Sequence, residues 1–148
     1  MHKELTAGTI YIDKADISKY VSSSKLSIRE AMTKLNGTIE LFQIIVNEKN
    51  HFLGTLTDGD IRRGLLKGYN LDENVSKCMN VDALLGIEGQ EEENLNKLET
   101  VDRDPLFLPI VDGKSLLKGL LIRNANTEIK HALILAGGMG TRLGKLTE

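Results

Sequence analysis

Gly137, Gly138 and Gly140, with Thr141 and Arg142 just beyond, are the residues best suited to chemistry on a phosphate. They follow an apolar run, Ala132 to Ala136, that suits a buried parallel strand. Glycines in the turn after such a strand let backbone N–H groups approach phosphate oxygens with no side chain in the way. Arg142 adds a planar cation able to grip two oxygens at once. Two generic phosphate loops are excluded by spacing. Counted from Gly138, the dinucleotide pattern asks for glycine at 143, where Leu143 stands. Lys145 is followed by Leu146 rather than by the hydroxyl residue of a triphosphatase loop.

A second constellation lies in Thr57-Asp58-Gly59-Asp60-Ile61-Arg62-Arg63. Thr57 with Asp60 three residues later is the pattern of a helix N-cap with an acidic third residue, which stabilises a helix without any ligand. The same pair also sets a hydroxyl and a carboxylate at a helix start. There the hydroxyl supplements N–H groups aimed at phosphate, and the carboxylate can accept from both vicinal hydroxyls of a ribose. The two roles are compatible. Arg63 lies one turn beyond Asp60 on the same face and is the better phosphate candidate; Arg62 is expected in solvent.

The elements that position these residues come as a repeat. Leu41-Phe42-Gln43-Ile44-Ile45-Val46 recurs as Leu106-Phe107-Leu108-Pro109-Ile110-Val111, and the same offset carries Asn47 to Asp112 and Gly54 to Gly119. Each copy reads as a hairpin, with second strands at 51–57 and 116–122 after a polar turn. A helix precedes each hairpin. Ser27 caps the first, with Glu30 three later and Ile28, Ala31, Met32 and Leu35 on one face. Gln90 to Leu98 is the counterpart, with only Leu95 and Leu98 apolar. Further helices are expected from Asp58 to Lys67, ending at Gly68, and at about 124–130. The copies differ where ligand chemistry would sit: the positions of Thr57 and Asp60 are taken by Ile122 and Ala125.

Composition narrows the function. A net charge of −2 and a pI near 6.0 give no basic footprint, and 4% aromatic residues offer no stacking platform, so nucleic acid is not an expected partner. Cys78 is the single cysteine, which excludes an intrachain disulfide and suits a small buried hydrophobe. His2, His51 and His131 share no ligand spacing, so no metal site is expected. No signal peptide or membrane-length apolar run is read, and the expected location is the cytoplasm. Glu91-Glu92-Glu93 reads as a solvated helix start favoured by the helix dipole.

The helix–strand–strand–helix order, with Gly54-Thr55-Leu56-Thr57-Asp58-Gly59-Asp60-Ile61-Arg62-Arg63, resembles the CBS domain. The resemblance covers about 16–128 and is closer in the first copy. It implies an α+β tandem pair with pseudo-two-fold symmetry: an N-terminal segment at 1–15, one repeat at 16–69 and a second at 75–128. It also implies nucleotide clefts between the repeats, with Thr57, Asp60 and Arg63 as ligand residues in one of them. The ligand would be an adenine nucleotide or a nucleotide-sugar. Packing as a two-fold dimer is implied as well, with the face at 28–35 and Leu65 and Leu66 as candidate contacts.

From Leu133 to Thr147 the chain resembles the N-terminal signature of sugar-phosphate nucleotidyltransferases, L-x-A-G-G-x-G-T-R-L-x-x-L-T. Ala136, Gly137, Gly138, Gly140, Thr141 and Arg142 would then bind nucleotide in a parent enzyme using Mg2+. Residues 131–148 would be only its first strand and loop, since that family's catalytic lysine and metal-binding aspartates follow the signature. The resemblance therefore implies a non-catalytic regulatory piece, needing no cofactor of its own, of an enzyme that activates sugar 1-phosphates. The alternative is a pair that only dimerises and orients. The orphaned strand from Ala132 is not expected to show the enzyme's fold.

Overall fold

The computed structural model describes residues 2–6, 8–101 and 106–123, the first of these stretches as backbone alone. Ser27 begins α1 (Ile28–Asn36) as the sequence predicts: its Oγ accepts from Glu30 N at 3.1 Å while its own N–H donates to Glu30 Oε2 at 2.8 Å. The helix buries Ile28, Ala31 and Leu35. They pack on Ile45 of β4 (Phe42–Val46) and Leu56 of β5 (Phe52–Thr57). Before α1 runs the short β3 (Val21–Ser23), parallel to β4; after β5 comes α2 (Asp58–Leu66), which adds Ile61 to the same core.

The second copy repeats this order with β6 (Gly86–Ile87), α3 (Glu91–Glu99), β7 (Leu106–Val111) and β8 (Leu117–Arg123). Its correspondence with the first extends to irregularities. Each hairpin slips register at the matching point, Ile45/Val46 and Ile110/Val111. Each turn is organised by one acceptor: Asn47 Oδ1 takes N–H bonds from Lys49 and His51, and Asp112 Oδ1 takes them from Lys114 and Leu116. Asn50 and Ser115 close the turns in the left-handed region, at φ 66° and 63°.

A pseudo-two-fold axis relates the copies. At one end Phe52 N donates to Ser115 O at 2.9 Å, and Leu117 N donates to Asn50 O at 3.0 Å. Inward lie the stacked rings of Phe42 and Phe107. The face between the sheets is filled by Phe42, Ile44 and Val46 from one copy and Phe107, Leu117, Leu120 and Ile122 from the other.

The segment before the first repeat, expected only as an N-terminal stretch, forms a hairpin of β1 (His2–Thr6) and β2 (Thr9–Asp13). β2 adds to the free edge of β8, pairing Thr9 with Arg123 and Asp13 with Gly119, and Arg123 Nε donates to Thr9 Oγ1 at 2.9 Å. The sheets are thus β1-β2-β8-β7-β6 and β3-β4-β5. On the first copy the matching edge takes a single bridge from Asn80, whose N and O bond Thr55 at 2.7 and 3.0 Å.

α3 departs from expectation in its buried face. Leu98 is buried but Leu95 only half so, and the second buried position is Asn94. Its side chain accepts from Ile87 N at 2.9 Å and donates to Ile87 O at 2.8 Å, so it bonds to β6 as a strand would. A polar residue on a helix face reads as solvated until such a partner is seen.

Candidate functional site

Thr57 ends β5 and caps α2, which places its hydroxyl where the first N–H groups of the helix converge. Asp60 N donates to Thr57 Oγ1 at 3.3 Å. In return Thr57 N and Thr57 Oγ1 both donate to Asp60 Oδ2 at 2.9 Å. The other carboxylate oxygen accepts from Arg63 Nη2 at 2.6 Å. The three residues singled out in the sequence therefore form one cluster, and the capping role is fully realised in it. Asp60 is 12% exposed in its side chain and Arg63 67%. The guanidinium end of the pair lies in solvent, from where Arg63 is free to turn toward a ligand. Arg62 turns away and pairs with Asp58 at 2.5 Å in solvent.

Beside this cluster runs a cleft of about 380 Å³. One wall is the face of α2 that carries Asp60, Arg63, Gly64 and Lys67; the other is the segment from Lys77 to Asn80, with Tyr69 at the edge. Sequence reasoning missed Lys67, Tyr69, Lys77 and Asn80. Lys67 had a signal, its helical spacing from Asp60 and Arg63; Tyr69 is placed by the turn after α2, where its N–H donates to Gly64 O at 3.2 Å, and Lys77 and Asn80 reach the cleft because Asn80 bridges to β5. Lys77 Nζ sits 5.9 Å from the Tyr69 ring centroid. Gly64 allows the close approach of the two walls, since a Cβ there would lie 2.3 Å from Cys78 Sγ. Cys78 itself is buried; burial, aided by Asp60 and Glu73, pushes its thiol up, so it stays a protonated packing group.

The second copy offers different chemistry. Register puts Ile122 opposite Phe107 as Thr57 is opposite Phe42, and Leu120 where the first copy has Thr55. Ile122 and Leu120 are buried between the sheets, so two hydroxyls of one copy are hydrocarbon in the other. On the helix side of this copy a smaller cavity, about 190 Å³, is lined by Tyr11, Asn94, Ile110 and Leu121 with Glu88 and Glu91 at its mouth. Tyr11 fills the space over Gly119. Burial, then Glu88, raises its phenol. The two copies thus present cavities of opposite charge, cationic beside α2 and acidic beside α3.

Ala125, the helix expected at 124–130, and the glycine-rich stretch with Ala136, Gly137, Gly138, Gly140, Thr141 and Arg142 lie outside the described residues, as does the expectation for the strand from Ala132. Among the described residues no three His, Cys, Asp or Glu side chains converge as for a metal ion, and no helix is long and apolar enough to cross a membrane.

No family model matches the chain. Two uncharacterized proteins of Helicobacter pylori, from strains J99 and 26695, are 32% and 33% identical over 104 residues. The match takes in 64% of this chain and 29% of theirs, so the chain spans less than a third of these curated relatives. Among solved structures, a CBS domain protein from Streptococcus pneumoniae TIGR4 superposes with a TM-score of 0.58 at 19% identity, covering 78% of this chain and 79% of its own. The Listeria monocytogenes CbpB protein in complex with c-di-AMP gives 0.57 at 15%, covering 79% and 88%. The cytosolic domain of the Mg2+ channel MgtE in complex with ATP gives 0.57 at 17%, covering 80% and 46%. The fold is that of a CBS-domain pair.

Proposed function

We propose that this chain is the nucleotide-sensing regulatory module of a sugar-1-phosphate nucleotidyltransferase. It takes one adenine nucleotide or nucleotide-sugar per chain, at the cleft of Thr57, Asp60 and Arg63. The observation that carries the reading is the one-sided chemistry of the pair. A hydroxyl, a carboxylate and a guanidinium are joined at the start of α2 beside a cationic cleft, while Ile122 stands at the matching position of the other copy. Asp60 meets a ribose diol by exchanging the Arg63 bond for those of the hydroxyls, and the freed Arg63 turns to the phosphate. Neighbours of this fold that hold c-di-AMP and ATP support an adenine ligand.

The parent activity rests on the resemblance from Leu133 to Thr147. In it, residues 131–148 begin a cytoplasmic, Mg2+-using enzyme whose nucleotide loop includes Ala136, Gly137, Gly138, Gly140, Thr141 and Arg142. The repeats at 16–69 and 75–128 precede that loop and act on it as its regulatory part.

One observation favours a second reading, a pair that only dimerises and orients: Thr57, Asp60 and Arg63 satisfy one another within the chain, as a helix cap alone requires. Calorimetric titration with AMP, ADP, ATP, GTP, c-di-AMP and nucleotide-sugars separates the two. Binding of one equivalent per chain, tighter than millimolar, is expected. If none binds that tightly the sensing role gives way to the structural one, and two equivalents per chain overturn the asymmetry.

A further inference from the structure

We propose that Lys67 and Lys77 form a subsite for the terminal phosphates of a polyphosphorylated ligand, so that the cleft along α2 selects nucleoside di- and triphosphates over monophosphates. This rests on the reading of Thr57 and Asp60 as ligand residues and adds to it the length of the phosphate chain.

Asp60, Arg63, Gly64 and Lys67 follow one another along a single face of α2 and form one wall of the cleft. At 1.5 Å per residue Lys67 stands about 10 Å from Asp60 along the axis, roughly the reach of a ribose followed by a short chain of phosphates. Arg63, between them, pairs with Asp60 in the free chain and is released to the first phosphate when ribose takes its place. Among the described residues neither Lys67 nor Lys77 has a carboxylate within ion-pair distance. Lys77 comes from the opposite wall, its ammonium held near the Tyr69 ring, so the two cations face one space from two elements. At Gly64 the two walls touch, with Cys78 Sγ packed where a Cβ would stand, and this contact holds the lysine-bearing segment against α2.

A nucleoside monophosphate held on Asp60 by its ribose would reach Arg63 and stop short of Lys67, a full turn further along the helix; a second and third phosphate supply the charge that the lysines lack. The acidic cavity beside α3 repels the same ligand.

The test is calorimetry without divalent cations, using AMP, ADP, ATP and inorganic tripolyphosphate on the wild type and on Lys67→Gln/Lys77→Gln. Both lysines are exposed, and an unchanged melting temperature of the free double variant shows that it folds. ATP is expected to bind at least tenfold more tightly than AMP. The double variant should bring ATP down to the affinity of AMP while moving AMP less than twofold. Equal losses for AMP and ATP, or an ATP affinity unmoved by the variant, overturn the subsite while nucleotide sensing stands. Tripolyphosphate bound by the wild type alone, with no nucleotide bound, keeps the subsite and removes the sensing role. Failure of every ligand to bind ends both.

Discussion

The ring of Phe42 lies 3.8 Å from that of Phe107 between centroids and 3° from parallel, each on the equivalent position of its own copy. Tyr20 extends the stack, 5.1 Å from Phe42. Both phenylalanines are almost wholly buried, so this contact near the pseudo-two-fold axis is where the sheets share one core. Phe42→Ala should cost about 3–5 kcal/mol, the usual range for emptying a buried aromatic site. Chemical denaturation reads this directly, and a loss below about 1 kcal/mol would mean that the sheets are held elsewhere.

Asp60→Ala removes the carboxylate that meets both Thr57 and Arg63. In the wild type a saturating nucleotide, at about a hundred times its Kd, should stabilise by roughly 2.7 kcal/mol and raise the melting temperature by about 5–10 °C. The variant should show no such shift, whereas its free form loses only about 1 kcal/mol of capping. A retained shift would move the ligand away from α2.

Gly64 and Cys78 should be energetically coupled. Gly64→Ala puts a methyl against Sγ and should cost about 1–3 kcal/mol through overpacking. Cys78→Ala clears that space, so the double variant should be more stable than the sum of the single losses predicts, by at least 0.5 kcal/mol on the usual scale of contacting pairs. Strict additivity in a double-mutant cycle would refute the contact.

Both hairpins and the first repeat's helices were legible because their signals are local: alternation in strands, a Ser-x-x-Glu box before α1, a Thr-x-x-Asp box before α2. What escaped was decided at long range. The β1–β2 hairpin depends on the open edge of β8, Asn94 is buried because β6 is the edge strand of its sheet and leaves Ile87 without a strand partner on that side, and the basic cleft exists only once 77–80 folds back on α2. The apolar face at 28–35, read as a candidate contact between chains, is spent inside: Ile28, Ala31 and Leu35 are all buried. Their periodicity is the same for either use.

Of the contacts read from the sequence, that leaves Leu65 and Leu66 on α2, Leu66 83% exposed, as apolar surface for self-association. Light scattering at micromolar concentration should give a dimer mass for the wild type and a monomer mass for Leu66→Glu. A monomeric wild type sinks this prediction.

The two turn acceptors should respond differently to acid. Burial acts to raise the Asp112 carboxyl, but the Lys114 and Leu116 N–H groups and the charges of Lys118 and Lys114 outweigh it and hold it below the usual carboxylate range. A carboxyl depressed on folding contributes stability that is present above its unfolded pKa, about 3.9, and lost as pH falls through the folded value. Asn47 fills the same role in the first copy without titrating. Asp112→Asn should therefore flatten the fall in stability below about pH 4, measured by melting at stepped pH; an unchanged acid limb would place it in other carboxylates.

Thr9 and Arg123 stand opposite each other at one end of the β2–β8 ladder. A pull on the chain beyond Arg123, taken against Thr9, would load the ladder at that end and open it one bonded pair after another, beginning with the Arg123–Thr9 side-chain bond. Such peeling meets the resistance of single rungs in turn, not of the whole ladder at once. A body attached after Arg123 would load that end of β8 first, where Arg123 is paired with Thr9 on one side and Leu106 on the other, before any strain reached the Phe42–Phe107 stack.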